Sequence, residues 1–363
     1  MSSNLKLIVP DNALELGLKV DEHLRQIRKE DLGYILPSDL IRFNNGEGKA
    51  KLIETIRDKD AYILTDVNND SISYPTRRGL HYMGPDEHYL DIIRILSAAS
   101  GHAKKITLIE TMLYQARQDK RSDRESLDCA VSLQTLERSG VSEFITFDAH
   151  NPTVYNAIPN TPFENFYATD DLLITLLEQE KIYNDKIVVI SPDEGAMNRA
   201  RVFSDFLGNA DIGTFYKRRD YSILVDGHHP IVAHSFLGNE RALKGKTAII
   251  VDDMIDTGGS ILDTCKQLKE RGVKKIYLLV TFALFTKGPD RFIDAFSKGY
   301  FDGVYATNLT YVPENVLNQP WFNSVDCSKK IAYIINTLNN GQSIKSLLSG
   351  KEETVRKIKI LRK

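Results

Sequence analysis

Cysteine is scarce: Cys129, Cys265 and Cys327 are the only three in 363 residues, an odd number set far apart. Neither a disulfide framework nor a zinc cluster is expected of them, and a reducing compartment suits them better. Charge of one sign is also missing. Lysine and arginine number 47 against 49 aspartates and glutamates, a formal net charge of -2. The chain therefore has no basic excess for nucleic acid and no acidic excess for a disordered tail. Long apolar runs are absent too. The longest cover 187–190, 248–251 and 276–284, far short of the ~20 residues that span a bilayer. The first seven residues, Met1-Ser-Ser-Asn-Leu-Lys-Leu7, hold no signal-peptide core. The expectation is a cytoplasmic protein with no nucleic-acid and no membrane partner. What is present is ordinary globular composition, 26% charged and 42% hydrophobic. The chain is long enough for two domains with a core each.

Short β-branched runs alternate with stretches of helical period, the pattern of α/β layers. It predicts strands over 61–65, 105–109, 144–147, 186–190, 247–251 and 275–282. Helices are predicted over 89–100, 127–139, 170–180, 196–207, 260–271 and 328–339, with Gly140, Gly272 and Asn340-Gly341 as stops. Pro159, Asn160 and Pro162 break the pattern between two successive α/β units. Residues 66–86 read as an inserted loop, and 220–246 as a flap closing on substrates. His228, His229 and His234 in that flap read as surface residues rather than a metal site, and the basic tail from Lys351 as a solvated helix end.

The most informative segment is Thr247-Ala-Ile-Ile-Val-Asp-Asp-Met-Ile-Asp-Thr-Gly-Gly-Ser-Ile261. A buried strand runs into a loop with three acids and two glycines, then into a helix. Amides at a helix start are unsatisfied, and the helix dipole adds partial positive charge there. Gly258 and Gly259 let the backbone approach a phosphate, and Thr257 and Ser260 add hydroxyls. No lysine follows the glycines, so this is not a Walker A loop. Asp252 and Asp253 lie at the strand's C-terminal end, where ligands of open α/β sheets bind. Acids beside a phosphate cradle make sense if they accept hydrogen bonds from sugar hydroxyls or face Mg²⁺. The segment reads as a pentose-phosphate site.

Val251-Asp-Asp-Met-Ile-Asp-Thr-Gly-Gly-Ser260 resembles the phosphoribosyl-binding loop of type I phosphoribosyltransferases. Further segments narrow the resemblance to the ribose-phosphate pyrophosphokinase family. Arg42-Phe-Asn-Asn-Gly-Glu47 resembles its Arg-Phe-Ser-Asp-Gly-Glu loop, and Ala116-Arg-Gln-Asp-Lys-Arg121 its Ala-Arg-Gln-Asp motif. Phe147-Asp-Ala-His150 resembles its Asp-x-His, Ser191-Pro-Asp-Glu-Gly195 its Ser-Pro-Asp-x-Gly, and Lys217-Arg-Arg219 its Lys-Arg-Arg. Tyr305-Ala-Thr-Asn-Leu-Thr310 resembles its Thr-Thr-Asn-Thr strand. The matches keep the family's order from Arg42 to Leu348.

The resemblance implies an α/β fold of two phosphoribosyltransferase-type domains, each with a mostly parallel sheet flanked by helices. Residues 1–163 would be an N-terminal pyrophosphokinase domain with the ATP-site loops. Residues 164–310 would be a C-terminal phosphoribosyltransferase-like domain with the ribose-5-phosphate loop, and 311–363 would pack back on the first domain. The implied reaction moves the diphosphoryl group of Mg-ATP to O1 of ribose 5-phosphate, giving 5-phosphoribosyl 1-pyrophosphate and AMP. Lys217 and Arg219 would be catalytic, stabilising charge on the transferring group. Phe43, Asn45, Gly46, Glu47, Arg117 and Gln118 would bind ATP. Asp252, Asp253, Asp256, Thr257, Gly258, Gly259 and Ser260 would bind ribose 5-phosphate, and His150 and Asp193 would hold Mg²⁺. A homo-oligomer is implied as well, a hexamer built from dimers.

Four departures stand against the family pattern. Asn45 occupies a usual aspartate position, and its amide reverses hydrogen-bond polarity at one end. Glu194-Gly195-Ala196 replaces a pair of glycines. Thr111-Met-Leu-Tyr-Gln115 and Asn151-Pro152 also differ from the family's usual residues. Two other readings stay open at this point: a catalytically silent paralogue that regulates an active synthetase, and a phosphoribosyltransferase.

Overall fold

The computed structural model describes residues 4–219, 231–349 and 351–362. The chain divides into two units. The first comprises Met1–Ala168, Asn308–Val312 and Asp326–Ser349; the second comprises Thr169–Thr307, Pro313–Val325 and Gly350–Lys363.

In the first unit the strands are, in chain order, β1 (Leu5–Ile8), β2 (Ser38–Arg42), β3 (Gly48–Leu52), β4 (Asp60–Thr65), β5 (Ser73–Thr76), β6 (Gly79–Tyr82), β7 (Lys105–Glu110), β8 (Glu143–Phe147) and β9 (Phe163–Phe166). Five of them form a parallel sheet in the order β1-β4-β7-β8-β9. β4 and β8 are buried along their whole length, as continuous apolar runs in a parallel sheet must be. The helices Pro85–Ala99 and Asp128–Arg138 place Ile92, Ile95, Leu96, Leu133 and Leu136 against this sheet in one core. Each such side chain contributes about 1.5–3 kcal/mol. β2 with β3, and β5 with β6, form two antiparallel hairpins outside the sheet. The second occupies the stretch 66–86 that reads as a loop from sequence. Helix Leu14–Arg28 packs with helix Ser328–Asn339. Arg28 donates to Asn336 at 2.8 Å and to Asn339 at 2.7 Å, and Asn339 donates to Asp60 at 2.7 Å.

The second unit holds β10 (Ile187–Ser191), β11 (Asp211–Arg219), β12 (Ile231–Leu237), β13 (Thr247–Ile255), β14 (Lys275–Ala283), β15 (Gly303–Thr307) and β16 (Phe322–Val325). Their order is β12-β11-β10-β13-β14-β15-β16, all parallel except the antiparallel edge strand β12. Helices Thr169–Glu180, Met197–Phe206, Gly259–Glu270 and Asp290–Ser297 accompany this sheet, as does Lys351–Leu361 near the end of the chain. Within the expected flap, β12 and a short turn at Glu240–Ala242 are formed; His228 and His229 lie outside the described residues, as does the side chain of His234. Among the described residues no helix is long and apolar enough to cross a membrane.

Candidate active site

In the second unit the site is built at the C-terminal ends of β10 and β13. β13 continues four residues past Val251, because Asp252, Met254 and Ile255 still pair with Val280, Phe282 and Ala283 of β14. Asp252 and Asp253 therefore stand in strand geometry and leave on opposite faces. Asp253 is buried, with the Arg199 guanidinium 3.6 Å away. The Asp253 amide donates to Asp252 Oδ1 at 2.9 Å. Burial raises the Asp252 carboxyl well above its ordinary range. The charges of Asp253 and Asp193 push it further, and Arg199 partly offsets them. Asp193 follows β10, and its Oδ1 accepts from the amides of Gly195 at 3.0 Å and Ala196 at 3.3 Å. That turn feeds the helix Met197–Phe206, which carries Arg199. Three carboxylates thus act on one another around a single arginine. Sugar hydroxyls would meet the acceptors they offer.

After β13 the chain turns sharply. Gly258 has φ +74°, and a Cβ there would lie 2.2 Å from Phe292 Cε2. Only glycine fits, on conformational and steric grounds together. The helix Gly259–Glu270 begins at once, so its first amides face the turn. Gly259 is exposed, and Thr257 and Ser260 are half-buried. The Thr286 hydroxyl donates to Asp256 Oδ1 at 2.5 Å, and its amide to the Asp256 carbonyl at 3.1 Å, fixing the outer side of the loop. Strand, acid pair, turn and helix start place the first helix amides beside two carboxylates, groups whose chemistry suits an anion and its neighbouring hydroxyls.

In β11, Lys217 pairs with His234 and Arg219 with Ile231, with a bulge between Arg218 and Arg219. The side chains of Lys217 and Arg219 lie outside the described part of the structure.

The first unit brings two further motifs together at the ends of β7 and β8. Arg117 and Gln118 are exposed on the loop after β7, and His150 is exposed after β8. Asp148 takes φ +42°, sparse territory for a residue with a side chain. Its amide donates to Phe166 at 2.8 Å, and that of Ala149 to Asn165 at 3.0 Å. The Asn151 amide group donates to Asp119 at 2.6 Å, joining the two loops. Phe43, Asn45, Gly46 and Glu47 form the turn of hairpin β2–β3. There Gly46 has φ +92°, and Asn45 donates to Glu47 Oε2 at 2.8 Å. The Asn45 amide group is thus engaged within its own turn.

Sequence reasoning missed two buried carboxyls, at the ends of β4 and β7. Asp66, just past β4, accepts from the Tyr311 amide at 2.6 Å, Asn68 at 3.0 Å and the Thr310 hydroxyl at 3.1 Å. Glu110 ends β7; its Oε2 accepts the Tyr114 amide at 3.4 Å, and its Oε1 has no partner among the described residues. Burial pushes both carboxyls up to about 7. The only signal for them was an acid directly at the end of an apolar run.

Residues 5–140 match a family described as the N-terminal domain of ribose phosphate pyrophosphokinase. Residues 237–349 match one described as a phosphoribosyl synthetase-associated domain. A ribose-phosphate pyrophosphokinase of Gloeobacter violaceus is 30% identical over 297 residues, covering 80% of this chain and 79% of that protein. The chain belongs to the ribose-phosphate pyrophosphokinase family. Ribose-phosphate pyrophosphokinase A of Dictyostelium discoideum is 26% identical over 354 residues, 96% of this chain and 99% of that one. The crystal structure of phosphoribosylpyrophosphate synthetase from Mycobacterium smegmatis shares the fold, with a TM-score of 0.76 over 93% of this chain at 23% identity. Both units are accordingly α/β domains of phosphoribosyltransferase type. Within the ribose-phosphate pyrophosphokinase family, the turn at Gly258 and the loops at Arg117 and His150 occur on two separate sheets of this chain, one set per unit.

Proposed function

We propose that this chain is an active ribose-phosphate pyrophosphokinase. O1 of ribose 5-phosphate forms a bond to the β-phosphorus of ATP, the bond from that phosphorus to the α-phosphate oxygen breaks, and AMP leaves. The hydroxyl proton of O1 is lost in the same exchange. The observation that carries this reading is the Asp252–Ser260 segment inside a chain of this family. Helix-start amides at 259–260 hold the 5-phosphate, while Asp252 and Asp253 accept the ribose hydroxyls. Lys217 and Arg219 neutralise charge on the moving group. Phe43, Asn45, Gly46, Glu47, Arg117 and Gln118 contact the nucleotide. Phosphoryl-type transfer asks mainly for such positioning and charge neutralisation.

Mg²⁺ is the proposed cofactor, and His150 and Asp193 are each proposed as a ligand. Among the described residues no group of three or more His, Cys, Asp or Glu could hold a metal unaided. Mg²⁺ takes few protein carboxylates and completes its shell with water and substrate phosphates. When bound, it would neutralise charge on the nucleotide's phosphates. The three cysteines are buried thiols, which supports a reducing, cytoplasmic location. A homo-oligomer is proposed on family grounds, with light scattering as its check.

The deciding experiment measures AMP and phosphoribosyl pyrophosphate formation from ATP, Mg²⁺ and ribose 5-phosphate, with Lys217→Ala alongside. Loss of one charge stabiliser in such a transition state costs roughly 10²- to 10³-fold in kcat. A folded wild-type protein that forms neither product with any nucleotide would refute the proposal.

A further inference from the structure

The Arg42 guanidinium stands at the entry of the 43–47 turn, and three neighbours hold it. It pairs with Asp91, which also takes Arg94 at 2.7 Å. It donates to Met83 Sδ at 3.8 Å. It also lies over the ring of Tyr74, 5.4 Å from the centroid. Asp91 and Arg94 belong to the helix Pro85–Ala99 and Met83 to its approach, whereas Tyr74 comes from the β5–β6 hairpin. Tyr74 is itself fixed. Its hydroxyl donates to Glu87 Oε1 at 2.8 Å, and its ring meets that of His81 at 5.1 Å. His81 Nε2 bonds Glu87 Oε2 at 2.7 Å, and the Gly84 amide donates to the same oxygen at 3.2 Å. A Cβ on Gly46, inside the turn, would stand 3.4 Å from the Tyr74 hydroxyl. One tyrosine of the inserted hairpin thus supports the residue that opens the turn and borders the glycine at its bend.

We propose that the β5–β6 hairpin is a strap on the nucleotide loop, with Tyr74 as the positioning residue that sets how tightly ATP is held. This rests on reading 43–47 as part of the ATP site. The turn is exposed, and a loop already held in its bound shape loses less conformational freedom when ligand arrives. A cation over an aromatic face is attracted by the ring quadrupole, so the ring restrains the Arg42 guanidinium as well as filling space beside it. Tyr74 works through Arg42 and Gly46 and not on the reacting atoms. Its loss therefore weakens ATP binding and leaves the chemical step alone.

The test is steady-state kinetics on the full chain for wild type, Tyr74→Ala, Tyr74→Phe and Phe43→Ala, with a thermal melt of each. Tyr74→Ala is expected to raise the KM for ATP roughly 5- to 20-fold, with kcat and the ribose-5-phosphate KM within about two-fold. Tyr74→Phe keeps the ring beneath Arg42 and should recover most of the loss. If Tyr74→Ala does not fold, Tyr74→Leu replaces it with the same expectation, since it keeps bulk and loses the aromatic face. Phe43→Ala reports on the loop itself. A raised ATP KM in Phe43→Ala beside an unchanged one in Tyr74→Ala overturns the strap and leaves the ATP-site reading standing. Unchanged ATP KM in both overturns the two together. A fall in kcat at constant ATP KM also overturns the strap.

Discussion

Asn151 donates a 2.6 Å hydrogen bond from its side-chain amide to the carboxylate of Asp119. Arg117 and Gln118 lie just before one partner, and His150 just before the other. Asn151→Ala removes the tie between the two loops and leaves the Asp119 carboxylate one donor poorer. A hydrogen bond to a charged group contributes about 1.5–3 kcal/mol, less when half-exposed as here. The expected outcome is a several-fold higher KM for ATP with a modest fall in melting temperature, since Asn151 Oδ1 also accepts from the Thr153 amide and hydroxyl at the head of the next turn. ATP titration at saturating ribose 5-phosphate checks it; an unchanged KM would mean the tie serves only the fold.

Gly258 offers a steric test with a built-in control. In Gly258→Ala the new methyl meets Phe292 Cε2 at 2.2 Å and Cζ at 2.5 Å, at φ +74°. Overpacking and the left-handed backbone together should destabilise by about 2–4 kcal/mol. Gly245 also has positive φ, +76°, but among the described residues nothing lies within 4 Å of its Cβ position. Gly245→Ala should therefore lose only the backbone part, about 1–2 kcal/mol. Urea unfolding of both variants separates the two contributions, and calorimetric titration with ribose 5-phosphate should show weakened binding only for Gly258→Ala.

At Asp252 the proposed sugar contact and the stability of the fold pull in opposite directions. Burial and the charges of Asp253 and Asp193 raise its carboxyl well above the usual range. A raised folded-state value means that stability is complete below the unfolded value, about 3.9, and is lost as pH rises through the folded one. Asp252→Asn removes the ionised form and should raise the melting temperature of the ligand-free protein near neutral pH. The same variant should lose at least roughly 10²-fold in turnover, since an acceptor for the sugar becomes in part a donor. Melting curves and product assays on one preparation settle both halves; a lower melting temperature would contradict the electrostatic account.

Glu110 predicts a pH profile. Its carboxyl is pushed up to about 7 by burial, against about 4.3 in an unfolded chain. The folded state therefore holds the proton more tightly. The stability this brings is whole below about pH 4.3 and gone above about pH 7, a difference of about 4 kcal/mol. Asp66 titrates in the same window with the same sign, because burial outweighs the three donors it accepts from. Glu110→Gln should reduce, without abolishing, the fall in melting temperature between about pH 5 and about pH 8. An unaltered slope would show that Glu110 stays charged in the fold.

The clearest sequence signals came from continuous or periodic apolar residues. Helix Ser328–Asn339 was legible residue for residue, since Ile331, Ala332, Ile334 and Ile335 mark its buried face and Asn340-Gly341 its end. Strand β13 was legible only to Val251, because two aspartates hide its last four residues. The buried Asp253 carboxylate meets the Arg199 guanidinium there, more than fifty positions earlier in sequence. Helix Leu14–Arg28 carries a weak local signal, with Gly17 in its interior. There a Cβ would lie 2.5 Å from Val9 Cγ1, a contact that no local pattern reveals. Pro75, Gly79 and Gly84 make 66–86 read as loop, yet proline is tolerated in an isolated two-stranded hairpin. The motif residues were legible through resemblance. Their supports, Asn151 for Asp119 and Tyr74 for Arg42, depend on neighbours that only folding brings close.

After Thr307 the chain alternates between the two units, with 308–312 in the first, 313–325 in the second, 326–349 in the first and 350–363 in the second. The order of synthesis acquires a meaning from this. The first sheet has all its strands by Phe166. The helix whose Asn336 and Asn339 accept from Arg28 leaves the ribosome some 160 residues later, a wait of ~8–30 s at usual elongation rates. A nascent chain must therefore keep helix Leu14–Arg28 without its helical partner until residues 328–339 are made. A protein split anywhere between 313 and 325 would leave both halves short of a piece carried by the other fragment.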